Sequence, residues 1–142
     1  MYDRLRKTDP KYLSSKTLAY IGDSVFELYS RLRVVNEHDD KMSGLHKYNI
    51  TIVNAGAQAL GARKVLDKLS EEELAVFKRG RNLNSGTMAK NANAADYRVA
   101  TGLETLVGYL FMNGSNERLE EILSMVLDEI TCSSSDKEKN DT

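Results

Sequence analysis

Apolar residues recur along this chain at three- and four-residue steps, and that spacing constrains the fold more than any other feature. Leu18, Ile21, Val25, Leu28 and Leu32 fall on one side of an α-helix, because 3.6 residues complete a turn. Pro10 and Ser14-Ser15 are start signals for a helix running to about Val35. A polar break from Asn36 to Lys41 leads to a short segment near Met42 to Lys47. A longer helix follows from about Tyr48 to Leu69, with a small-residue face at Ala55, Ala59 and Ala62. Ser70 with Glu73 reads as a capping box for a helix ending near Arg79. Val99, Leu103, Leu106, Val107, Leu110 and Phe111 resume the period, and Asn113-Gly114 stops it. Leu119, Ile122, Leu123, Val126 and Leu127 mark a last amphipathic helix from Asn116 to about Thr131. There is no strand-like alternation and no solenoid repeat, so the expected class is all-α, a helical bundle.

A chain of 142 residues has room for one real core. One domain is expected over 1–131, and the polar run 132–142 is expected to be a disordered tail because it has nothing to bury. Apolar runs are too short for a membrane span, and the charged start is followed by no apolar stretch of a secretory signal. Cys132 is the sole cysteine, which fits a reducing, cytoplasmic setting.

The formal net charge of −1 excludes a globally basic nucleic-acid binder. Charge is nevertheless segregated. Lys78, Arg79, Arg81, Lys90 and Arg98 face a single acid, Asp96, within 78–98, whereas five acids face Arg118 within 117–129. Such asymmetry either gives an almost neutral protein one basic surface for phosphates or reflects ordinary solvated helix faces. Gly80 to Asn93, with two glycines, four asparagines and almost no apolar period, reads as a loop long enough to suggest function.

Two acids stand where helix propensity disfavours or packing does not invite them. Asp23 lies about two turns into the first helix, directly after Gly22 and nearly opposite the apolar stripe. Glu104 lies at the edge of the stripe of its own helix. Gly22, Gly102 and Gly108 each cost about 1 kcal/mol in a helix interior relative to Ala, a cost that close helix approach would explain. If the two helices cross there, Asp23 and Glu104 converge. Two carboxylates in one cleft hold a divalent cation or share a proton; the other reading is two unrelated surface acids. His38 and His46 have no ligand partners at metal spacing, and neither a Walker loop nor a nucleophile elbow is present.

Leu18-Ala-Tyr-Ile-Gly-Asp-Ser-Val-Phe-Glu-Leu-Tyr29 resembles the signature helix of ribonuclease III domains. Gly102-Leu-Glu-Thr-Leu-Val-Gly-Tyr-Leu-Phe111 resembles that family's second catalytic helix. The pair, about 80 residues apart, is far more specific than either motif alone. Between them Lys78-Arg-Gly-Arg-Asn82, Ser85-Gly-Thr87 and Lys90-Asn91 are similar to a loop of the Mini-ribonuclease III branch.

The resemblance implies the ribonuclease III catalytic fold and a homodimer with one active centre per subunit. It implies a metal-dependent endoribonuclease that cuts double-stranded RNA to 5′-phosphate and 3′-hydroxyl ends, with Asp23 and Glu104 as catalytic and metal-holding residues. Mg2+ is the implied ion, with Mn2+ able to substitute. The implied substrate is the paired ends of the large-subunit (23S) ribosomal RNA precursor, with a large-subunit ribosomal protein as a further partner and no membrane. Lys78, Arg79, Arg81, Asn82, Ser85, Lys90 and Asn91 are the implied RNA-binding set.

Two departures from larger relatives matter. Ala19 and Thr101 stand where those relatives have further acids, so the metal site should be sparser, richer in water ligands and weaker. They also keep open the alternative of a catalytically silent module that binds structured RNA or ribosome precursors. The polar end replaces a separate RNA-binding domain, so duplex affinity is expected to come from the catalytic dimer and its basic loop.

Overall fold

The computed structural model describes residues 2–38, 41–83 and 93–140, the stretch 134–140 by backbone alone. Six α-helices are formed: α1 (Ser15–Glu37), α2 (Met42–Ile52), α3 (Ala55–Val65), α4 (Glu71–Arg81), α5 (Ala94–Met112) and α6 (Asn116–Asn140). Short 3-10 turns at Tyr2–Arg4, Pro10–Tyr12 and Leu66–Lys68 connect or precede them. No strand occurs among the described residues. Among them, too, no helix is long and apolar enough to cross a membrane.

The central element is α5. Val99, Ala100, Leu103, Leu106, Val107 and Leu110 form one broad buried stripe, and the buried Gly102, Thr105 and Gly108 extend the burial to its other flanks. A helix buried on several sides must be enclosed, and α1, α3 and α4 pack around it while α6 lies across α3. Leu119, Ile122, Leu123, Val126, Leu127 and Ile130 form the inner face of α6.

Local chemistry sets the helix boundaries. The Ser14 hydroxyl accepts from the Thr17 amide at the start of α1. Ser70 and Glu73 form the expected capping box of α4, and Gly114 takes φ +73° at the turn into α6, a conformation that glycine adopts without steric penalty. Three expectations need correction. The single helix expected over 48–69 is broken at Asn54, whose side chain accepts from the Ala57 amide and so caps a new helix, α3. Helix α4 runs through Gly80 to Arg81, so the loop begins later than the glycine suggested. Helix α6 continues to Asn140, beyond the end expected near Thr131; no Gly or Pro between Thr131 and Asn140 stops it.

The face of α1 also differs from the expected stripe. Leu18, Ala19, Gly22, Val25, Phe26, Ser30 and Val34 are buried, whereas Leu28 and Leu32 are 46% and 50% exposed. The helix carries two apolar faces, and the one with Leu18 and Gly22, not the one with Leu28 and Leu32, meets α5. Asp23 therefore borders the core face instead of opposing it.

Candidate active site

Two glycines bring α1 and α5 into backbone contact. A Cβ placed on Gly22 would lie 1.7 Å from the Glu104 carbonyl oxygen, and one on Gly108 would lie 1.9 Å from the Leu18 carbonyl oxygen. No side chain fits at either position, so the two backbones touch. Asp23 follows one glycine and Glu104 supplies the carbonyl that meets it, so the crossing brings both carboxyl groups to one cleft.

Gly102 does something else. Its missing Cβ makes room for Phe77 of α4, not for α1. Gly80 completes the set, since a Cβ there would lie 2.2 Å from the Thr105 hydroxyl. That contact seats the end of α4 on α5 and delivers Arg81 to the cleft. Thr105 is fully buried and donates its hydroxyl hydrogen to the Thr101 carbonyl at 2.7 Å, with the Ser15 carbonyl at 3.5 Å.

The electrostatics of the acid pair are unequal. Asp23 is exposed and Glu104 half-buried. Burial first, and the Asp23 charge second, push the Glu104 carboxyl up from 4.5 to about 7. A carboxylate raised by lost hydration and a like neighbour gains from a cation placed between the two. The oxygen donor set also suits a hard divalent ion. Among the described residues no group of three or more His, Cys, Asp and Glu side chains gathers anywhere, so no third side chain of these types joins the pair there. Ala19 and Thr101 both line the cleft, and the Thr101 hydroxyl donates to the Tyr97 carbonyl at 2.9 Å.

The expected RNA-binding residues divide. Arg81 lines the cleft, and the Asn82 side chain accepts from its Nε at 3.3 Å while ending α4. Lys78 and Arg79 are exposed on the last turn of α4 and do not line the cleft. The Arg79 charge instead acts on Tyr109, whose phenol is pushed up to about 12, chiefly by its hydrogen bond to Glu72 and against Arg79. Ser85, Lys90 and Asn91 lie outside the described residues. Sequence reasoning missed Lys16, Tyr20 and Tyr97 and counted Arg98 only among the basic residues of 78–98; all four stand in the cleft wall. Helical spacing could have found them: Lys16 and Tyr97 each stand seven residues before an acid, on its face.

Comparison with known proteins gives this geometry a context. The ribonuclease III domain model matches residues 16–115. A Mini-ribonuclease 3 of Clostridium tetani is 45% identical over 126 residues, 88% of this chain and 83% of that protein. A Mini-ribonuclease 3 of Enterococcus faecalis is 42% identical over 124 residues, 86% of this chain and 94% of that protein. A crystal structure of a Fusobacterium nucleatum protein superposes with a TM-score of 0.75 at 28% identity, covering 86% of this chain and 98% of its own.

Proposed function

The chain belongs to the Mini-ribonuclease 3 branch of the ribonuclease III domain family and is an endoribonuclease; from that premise we propose how it cuts double-stranded RNA. Asp23 and Glu104 are the catalytic and metal-holding residues. The observation that carries this assignment is their convergence in one cleft through the Gly22 and Gly108 contacts. Mg2+, with Mn2+ as a substitute, is the proposed ion; bound there it supplies Lewis acidity and eases ionisation of the attacking water. Asp23 and Glu104 would hold the cation and thereby fix where a phosphodiester can react. The buried side of Glu104 keeps bulk water from one flank of the site.

The remaining features support a fuller reading. A-form RNA is bound through phosphates and 2′-hydroxyls, for which the basic segment is suited: Arg81 at the cleft, Lys78, Arg79 and Asn82 beside it, with Ser85, Lys90 and Asn91 assigned to the same role. Leu5, Tyr20, Leu28 and Leu32 stay 75%, 80%, 46% and 50% exposed around one groove that also holds Ile21 and Phe111. An apolar surface of this kind marks an interface, and a second copy of this chain is its proposed occupant, giving a homodimer with two cutting centres. The natural substrate proposed is the paired ends of the 23S ribosomal RNA precursor, with a large-subunit ribosomal protein as a further partner and the cytoplasm as the setting.

The deciding experiment compares the wild type with Asp23→Asn on a structured RNA duplex with magnesium. Cleavage should vanish while binding persists. Binding without cleavage in both proteins would establish a silent RNA-binding module instead.

A further inference from the structure

The cleft holds more positive charge than its two acids require. Lys16 of α1 and Arg98 of α5 line it together with Asp23, Glu104 and Arg81. Both are exposed, and among the described residues neither makes an ion pair. Asp96, the acid nearest Arg98 in sequence, is held instead by Arg63 of α3 at 2.7 Å. Arg81 is partly engaged, with Asn82 accepting from its Nε and the Phe77 ring 6.0 Å below its guanidinium. Ala19 and Thr101, which also line the cleft, add no charge to it, and the Thr101 hydroxyl donates to its own helix. Three cationic side chains thus line the cleft beside two acids, an excess of positive charge that favours an anionic ligand.

The placement follows helical geometry. Lys16 precedes Asp23 by two turns and shares its face of α1, while Arg98 precedes Glu104 on α5. We propose that Lys16 and Arg98 bind the non-bridging oxygens of the RNA phosphate on which Asp23 and Glu104 act, and so are further catalytic residues. This assignment rests on the reading of the chain as a duplex-cutting nuclease. In the reaction a water oxygen bonds to phosphorus and the bond to the 3′ oxygen breaks. The water gives up a proton to solvent, and the departing oxygen takes one up. Charge on the phosphoryl oxygens is neutralised by groups already aimed at them. Arg98 offers a planar fork for two oxygens and Lys16 a point charge. Lys78 and Arg79, outside the cleft, can add only to general duplex affinity.

The test measures duplex-RNA affinity in EDTA over a salt series for wild type, Lys16→Ala, Arg98→Ala and Lys16→Arg, beside single-turnover cleavage with magnesium. Each alanine variant should lower the slope of log affinity against log salt by about 1 and slow cleavage on the order of 10²-fold. Lys16→Arg should keep the slope, and all variants should melt like the wild type because neither side chain is buried. Alanine variants that retain the wild-type slope overturn the assignment, whatever their cleavage rate. A wild type that neither binds nor cuts the duplex removes the nuclease reading and this assignment with it, a result distinct from an unchanged slope.

Discussion

Replacing Gly22 with alanine tests whether the acid pair is made by helix contact. The added Cβ would sit 1.7 Å from the Glu104 carbonyl oxygen, 2.6 Å from its carbon and 2.8 Å from the Gly108 nitrogen. All three are backbone atoms of a buried helix, so no rotamer change relieves the clash. Real Cβ atoms keep at least 3.0 Å from such neighbours, so α1 and α5 must part by more than an ångström. Overpacking of this kind costs about 1–3 kcal/mol, and enclosure of α5 by other helices places this site toward the upper end. Alanine returns about 1 kcal/mol through helix propensity, leaving a net loss of about 2 kcal/mol. For a domain of this size that lowers the melting temperature by roughly 6–8 °C. Cleavage should suffer more than stability, because displacing a reacting group by about 1 Å costs on the order of 10²-fold in rate. Single-turnover cleavage of duplex RNA, measured well below the variant's melting point, separates the two effects. Gly56→Ala is the control, since its nearest neighbour is the Asn54 side chain at 3.4 Å; it should melt no lower and cut normally. A Gly22→Ala protein with wild-type melting and wild-type cleavage would refute the reasoning.

Other outcomes follow from the same geometry. Glu104, raised to about 7, keeps its proton on folding at pH values where an unfolded glutamate has lost it. The metal-free protein should therefore lose stability as pH rises from about 4.5 to 7, and Glu104→Gln should flatten that profile in thermal melts. At subsaturating magnesium, cleavage should rise with pH through the same range, and isothermal titration without RNA should find only weak magnesium binding. Glu73, held below its ordinary range mainly by the Arg118 side-chain hydrogen bonds, acts in the opposite sense: its contribution is present above the usual carboxylate pKa and fades as pH falls below it. Arg118→Ala leaves a nearly buried carboxylate without its fork and should cost about 2 kcal/mol in denaturant unfolding at neutral pH. Leu28→Asp with Leu32→Asp should yield a monomer by light scattering, and a dimer that survives both changes would remove the groove as its interface.

The legible parts of this molecule are those where one residue type has one physical job. Ser70 and Glu73 announced a capping box because both partners lie within four residues. Gly22 and Asp23 together pointed to a cleft, beside the reading of unrelated surface acids, because a glycine and an acid inside a helix each need a reason. What the sequence obscured depends on partners far along the chain. Leu28 and Leu32 look like core residues by period, yet the small side chains of the neighbouring face decide which side of α1 meets α5. Gly80 looked like the start of a loop, although its purpose is the Thr105 hydroxyl of another helix. Asn54 reads as an ordinary polar residue until its side chain is seen capping α3. Lys16 and Arg98 carry ordinary surface charges, and only the crossing of α1 and α5 brings them to the same opening.

Placing a carboxylate on the most enclosed helix has a thermodynamic consequence. Glu104 loses hydration in a cleft it shares with Asp23, so the ionised pair destabilises the folded chain whenever no cation compensates it. A cation bound at the pair, with or without an RNA phosphate, binds only the folded form and so raises stability by mass action. The same desolvation that weakens the metal-free protein makes the pair responsive to a counter-charge, which an exposed pair of acids would not be. Glu104→Gln should thus produce an inactive protein that is more stable than the wild type in EDTA near pH 7.5 and gains less from magnesium. Equal melting temperatures for the two proteins in EDTA would mean that the pair carries no such strain and that the cleft is hydrated enough to tolerate both charges.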